Sequence, residues 1–186
     1  MSLIAGNLGS VQRLLDEADL PWGVCAGAAA YVYGVRRPIE NVDILLCPGA
    51  LRRVRELLEQ HKWAAQYDGR ILLWRGIKVF DDLTVTAGRA RYPFVLDGPM
   101  QERLRRQPLL GCRVLVLSPE DVVVHKALLV HADNALGKHH RSDVETLVRV
   151  QREQLDTAYL LQRLDACKAG PQVRAFLAEA GLNLPL

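Results

Sequence analysis

The chain is short of the residues that mark several whole classes of protein. Aromatic side chains make up 6% of its 186 residues. None of its basic clusters has aromatics interleaved, so no platform for stacking bases is expected. It has only four cysteines, and Cys25, Cys47, Cys112 and Cys167 stand singly. Their spacing suits neither a zinc site nor a disulfide framework, which leaves reduced thiols in a cytoplasmic protein as the expectation. Long apolar runs are missing too: residues 71–74 and 114–117 are strand-sized, far below a bilayer span. The opening MSLIAGNLGS has no basic stretch followed by an apolar run and cleavage site, so no secretory leader is expected. Excess charge of one sign is also absent. Lys and Arg number 24 against 21 Asp and Glu, a formal +3. That balance accommodates an anionic ligand without indicating nucleic-acid binding.

What is present reads as one ordinary globular core with a helical extension. Hydrophobic residues are 49% and charged residues 24%, and the length suffices for a well-buried interior. Apolar residues at 11, 14, 15 and 18 predict a helix over 11–18, capped by Ser10 and closed by Pro21. Residues 22–25 read as a short buried strand, 26–33 as an alanine-rich helix ended by Gly34, and 42–46 as a second strand. An amphipathic helix over 51–60 follows. Strands are expected over 63–67, 71–74 and 77–85, with turns at Asp68-Gly69 and Arg75-Gly76. Residues 86–99 read as a loop, 100–106 as a short basic helix, and 112–117 as a strand. Ser118-Pro119-Glu120-Asp121 opens a helix over 119–131 by a cap, a first-position proline and first-turn acids. Helices over 142–151, 157–164 and 171–180 complete the chain. The expected class is α/β (α+β), a mixed sheet flanked by helices. Residues 1–117 would form the core and 118–186 a helical region packed on it.

The chemistry concentrates in residues 24–46, VCAGAAAYVYGVRRPIENVDILL. Ala26-Gly27-Ala28 joins a strand to a helix with small residues, which lets backbone amides approach a phosphate. The same tripeptide would equally pack a helix tightly on a sheet. Asn41 and Asp43 are two apart on an expected strand and so share a face. Two carboxylates so spaced can hold a divalent metal against a polyphosphate; here one of the two is an amide. Asp81 and Asp82 are a second acidic point. Only one of them can face Asp43, and strand parity does not choose, although the offset of Asp81 from the preceding apolar run favours it slightly. Lys126 can reach from the edge of its helix toward a cleft. His139 and His140, adjacent in sequence, are not expected to converge on an ion.

These segments together resemble the nucleotidyltransferase superfamily, most closely the minimal branch with toxin components of abortive-infection and toxin–antitoxin systems. The resemblance lies in Ala26-Gly27, Ala29, Tyr33-Gly34, Arg37, Ile39 and the pair Asn41 and Asp43. It continues through residues 116–121 with His125-Lys126, and through Lys138 and Asp143. It implies a nucleotidyltransferase fold, a nucleoside triphosphate and Mg2+. A hydroxyl of a small molecule, protein or RNA end would attack the α-phosphate. Asp43 and Asp81 or Asp82 would be catalytic, and Asn41, Asp43 and Asp81 would hold the metal. Ala26, Gly27, Ala28, Arg37, Lys126 and Lys138 would bind the nucleotide. Ala26, Ile39 and Asn41 depart from the family's glycine, threonine and first aspartate. A degenerate nucleotide-binding member is therefore the alternative, as is a toxin-like subunit held by an antitoxin-like protein through Leu160, Leu161 and Leu164. No membrane partner is expected.

Overall fold

The computed structural model of the chain describes residues 3–133 and 139–184. Helix α1 (Leu3–Glu17) leads into β1 (Trp22–Cys25), α2 (Ala26–Val32), β2 (Val42–Leu46) and α3 (Leu51–Gln60). Next come the short strands β3 (Gln66–Tyr67), β4 (Leu72–Trp74) and β5 (Ile77–Phe80), then β6 (Val85–Ala87) and β7 (Ala90–Tyr92). Helix α4 (Gly98–Glu102) precedes β8 (Arg105–Leu109) and β9 (Cys112–Val116). The chain closes with α5 (Pro119–Val130), α6 (His140–Gln151), α7 (Thr157–Ala166) and α8 (Pro171–Glu179). This is the expected α+β class. A seven-stranded mixed sheet runs in the order β3-β4-β5-β2-β1-β9-β8, with β6 and β7 as a separate hairpin. Strand β2 lies between an antiparallel β1 and a parallel β5, at the centre of the sheet.

Local sequence explains the central elements. In β2, Val42, Ile44, Leu45 and Leu46 are buried and only Asp43 is half-buried, as a strand covered on both faces requires. Gly34 leaves α2 at a φ of +117°, with its Cα so close to Val150 that a Cβ would sit 2.9 Å from that side chain. Both facts demand glycine there. The Ser118 hydroxyl accepts the Asp121 N–H, and Pro119 takes the first position of α5. That helix is buried from Pro119 to Leu128 because α2, α6, α7 and α8 surround it. A helix so enclosed has no solvent face and shows little apolar periodicity. One hydrophobic core runs from Leu8 to Leu182.

Five segments differ from the sequence expectation. Helix α1 starts at Leu3, and Ser10 lies inside it, its hydroxyl donating to the Gly6 carbonyl instead of capping. Glycines at 6 and 9 weaken the helical pattern there, but Ala5 and Leu8 extend the buried stripe of Val11, Leu14 and Leu15. The expected loop over 86–99 contains the β6–β7 hairpin, whose strands are too short to show alternation. The expected basic helix over 100–106 ends at Glu102, and Arg105–Leu109 forms edge strand β8 against β9. Pro108 is tolerated there because an edge strand has a side with no ladder to break. The expected strands over 63–67 and 77–85 shorten to Gln66–Tyr67 and Ile77–Phe80.

Candidate functional site

The site is built around the turn from β1 into α2. Ala26 has a φ of +52°, a left-handed conformation that costs a residue with a Cβ about 1–2 kcal/mol. The resemblance placed a glycine here, so the substitution falls where glycine would be unstrained. Gly27 is exposed, and a Cβ on it would meet nothing within 4 Å. Ala28 is buried and packs into the core. The three small residues thus divide their work: Ala28 seats the helix, while Ala26 and Gly27 border open space.

Asp43 is half-buried between the fully buried Val42 and Ile44. It stands level with Cys25 on β1 and with Lys78 on β5. Burial pushes its pKa up, and the charges of Lys78 and Lys126 oppose that rise. A cavity of about 550 Å³ opens beside it, lined by Ala26, Asp43, Asp82 and His125 among others. Asp82 therefore faces the same space as Asp43; one of its oxygens also accepts the Thr84 N–H at 2.7 Å.

Asp81, the slightly favoured candidate, is engaged elsewhere. Its Oδ2 accepts the N–H groups of Gly49 at 3.1 Å and Leu51 at 3.3 Å, at the start of α3. A carboxylate suits a helix N-terminus, and β5 has already ended at Phe80, so strand parity no longer governs the pair. Asn41 precedes β2 and lines a separate depression with Gly27, Arg37 and His139. Asp43 and Asp82 are thus brought to one cavity that Asn41 and Asp81 do not line. Among the described residues, no three His, Cys, Asp or Glu side chains gather into a metal-binding group.

The two candidate phosphate cations that the structure describes meet on one acid. Lys126 does not reach outward from its helix. It is 5% exposed, and its Nζ lies 2.9 Å from Oδ2 of Asp143, which is 1% exposed. Arg37 pairs with the other oxygen of Asp143 from the half-exposed side. The cluster joins the loop after α2 to α5 and α6 and carries one surplus positive charge. Its interior charges are tolerable because each is paired. Lys138 lies outside the described residues.

His125, which the resemblance names only beside Lys126 and without a role, has a place at the cavity. Its ring stacks on Phe94 at 4.5 Å and borders the cavity, and its Nδ1 has no hydrogen-bond partner among the described residues. Burial, with Lys126 and His140 nearby, lowers its pKa to about 3, so the imidazole is neutral. The stretch VVVHKALLV hides it, since a histidine inside an apolar run looks like filler. The β6–β7 hairpin was missed as well, and it contributes Val85 and Thr86 to the cavity wall. The hairpin is tied to the end of α5: Thr86 O accepts the Asp133 N–H, and the Asp133 carboxylate accepts the Gly88 N–H. Leu160 and Leu164, expected on an exposed patch, are fully buried, and Leu161 is partly buried.

A family model described as uncharacterised nucleotidyltransferase matches residues 3–185, and the chain belongs to that family. No curated protein matches it. The fold is similar to the solution structure of the antibiotic-resistance factor ANT(2'')-Ia, with a TM-score of 0.57, 14% identity and 94% of each chain covered. The crystal structure of ANT(2'')-Ia in complex with adenylyl-2''-tobramycin is similar with a TM-score of 0.51 and 15% identity, over 96% of this chain and 97% of that one.

Proposed function

We propose that this member of the nucleotidyltransferase family binds a nucleoside triphosphate in the cleft around the β1–α2 turn, with its transfer chemistry weakened. The observation that carries the reading is the placement of Arg37 beside the open Gly27 turn, held there by Asp143, with Asp43 on the neighbouring strand. Arg37 and the turn amides would contact phosphate oxygens. The donor set does not suit the paired divalent cations of such reactions. Asn41 is an amide, Lys78 stands level with Asp43, and the three acids lining the cavity, Asp43, Asp68 and Asp82, gather into no metal-binding group among the described residues.

A second reading, full transfer to a hydroxyl, is favoured by Asp43 and Asp82 sharing one cavity. In that reaction the acceptor oxygen bonds to the α-phosphorus, the α–β phosphoanhydride breaks, and pyrophosphate leaves. The hydroxyl proton would pass to a carboxylate, and Asp82 faces the right space. The fold's likeness to a structure holding adenylyl-2''-tobramycin makes a small hydroxyl compound the first acceptor to try. An antitoxin-like partner gains no support from Leu160 and Leu164, which are buried. A cytoplasmic setting is proposed from the four free thiols. No helix among the described residues is long and apolar enough to cross a membrane.

Calorimetric titration with ATP, GTP, CTP and UTP tests the nucleotide site, and mass spectrometry of tobramycin incubated with Mg-ATP tests transfer. Binding with no adenylylated product is expected. Failure of all four nucleotides to bind would overturn the reading, and an adenylylated product would establish the second one.

A further inference from the structure

We infer that the cavity beside Asp43 is a binding site for a small compound that carries two or more amino groups together with hydroxyls. Its volume of about 550 Å³ falls in the range of small-ligand sites. Its wall is divided. Ile71, Phe80, Leu83, Val85 and Leu129 make one part apolar, and Asp43, Asp68 and Asp82 make the other acidic. The acids come from different places in the chain: β2, the turn between β3 and β4, and the segment after β5. Among the described residues that line the cavity, Arg70 alone brings a guanidinium or ammonium. Its charge acts on Asp68. Lys78 and Lys126 act on Asp43 but do not line the cavity. Asp82 stands in no ion pair among the described residues. The wall therefore keeps an excess of negative charge.

Acids alone do not mark a site, since a solvated carboxylate needs no ligand. His125 supplies the independent observation. It lines the same cavity, is 4% exposed and stacks on Phe94, and its Nδ1 has no hydrogen-bond partner among the described residues. A buried polar atom is costly while it stays unpaired. Burial keeps the ring neutral, so it offers one donor and one acceptor. A hydroxyl can meet either nitrogen, and an ammonium can meet the acceptor. An anion would meet only the donor, and the acidic wall would repel it. A metal ion fits less well, because among the described residues these acids and His125 gather into no group that could hold one. Carboxylates that stand apart around an apolar floor match ammonium groups spaced on a carbon frame. The compound's place beside a nucleotide rests on the proposed function; its binding to the cavity does not.

The test titrates the full chain, without nucleotide, with the diamine 2-deoxystreptamine and with myo-inositol, a cyclitol of the same ring size that has no amine. Calorimetry should show a single site for the diamine and about tenfold weaker binding of myo-inositol. Asp68→Asn/Asp82→Asn should weaken the diamine by about tenfold or more. Both turns survive that change: Oδ1 of Asp68 accepts the Ile71 N–H and Oδ1 of Asp82 the Thr84 N–H, and an asparagine oxygen accepts equally. Glu17→Gln, exposed and outside the cavity wall, should leave the affinity unchanged, as a site rather than overall charge requires. His125→Phe keeps a ring against Phe94 and should weaken the diamine about fivefold. The imidazole proton resonances that this variant lacks should shift in the wild type when the diamine is added. Absence of diamine binding would overturn the inference, as would equal binding of the two cyclitols, unchanged affinity in the double asparagine variant, or His125 resonances that do not move. If the diamine binds and no nucleotide does, the proposed function fails and this site stands.

Discussion

Ala26 and His125 each hold a state that their residue type does not prefer. Ala26 sits at a φ of +52° and His125 is a neutral, buried imidazole. The second has a consequence for stability. An unfolded histidine titrates near pH 6.5, while His125 in the folded protein titrates at about 3. Between those values the unfolded chain binds the extra proton, so stability is lost as pH falls through that window by about 1.4 kcal/mol per pH unit. His125→Leu should remove this slope. Urea unfolding at pH 7 and pH 5 should therefore show the difference between wild type and variant changing by about 2 kcal/mol. A difference that stays constant would mean His125 is protonated when folded. Residues of this kind were only partly legible. Ala26 was recognised as a departure, but its φ depends on the entry angle of the chain from β1. His125 looked like any apolar-run residue because nothing local shows what its ring faces.

The elements were legible where they carry their own punctuation. Ser118-Pro119 sets the start of α5, Asp156 caps α7 through the Tyr159 N–H, and alanine content and a continuous apolar run mark the helix at 26–33 and the strand at 42–46. The short strands β3, β6 and β7 gave too few residues for a period to appear. What joins the elements was not legible. Lys126 on α5 meets Asp143 on α6 because the helices pack together, with Arg37 completing the cluster from the loop before β2. Asp143→Ala would strand the buried ammonium of Lys126, which should cost about 3–5 kcal/mol in chemical denaturation. Adding Lys126→Met to that variant should recover part of the loss, since it removes the orphaned charge. If the double variant is destabilised by the sum of the single changes, the pair does not interact.

Across the whole molecule, Arg163 ties the helical layer to the segment after the hairpin. Its guanidinium pairs with Asp97 at 2.6 Å and Asp121 at 3.0 Å, although it is 2% exposed. Asp121 in turn accepts from Ser118 at 2.7 Å and from Tyr159 at 3.1 Å. The network links the cap of α4, the first turn of α5 and the last turn of α7. Arg163→Ala leaves two acids without their counter-charge, one of them fully buried, and should cost about 3–5 kcal/mol. Hydrogen exchange should also speed up selectively at the N–H groups of Met100 and Gln101, whose cap at Asp97 loosens. Uniform acceleration over the whole chain would show that Arg163 does not hold this segment in particular.

The sequence by itself determined the small-residue turn after β1, the acid in β2 and the capped helix that carries Lys126. Each is specified by residues close in the chain, through alanine content, apolar runs and caps. Only the tertiary structure decided which side chains face Asp43. That choice is a matter of register between β2 and β5, which pair through backbone hydrogen bonds far along the chain and leave no local pattern. The register puts Lys78 level with Asp43, and the chain beyond β5 brings Asp82 to the same cavity. The same long-range packing turned Asp81 to the start of α3 and closed Lys126 onto Asp143.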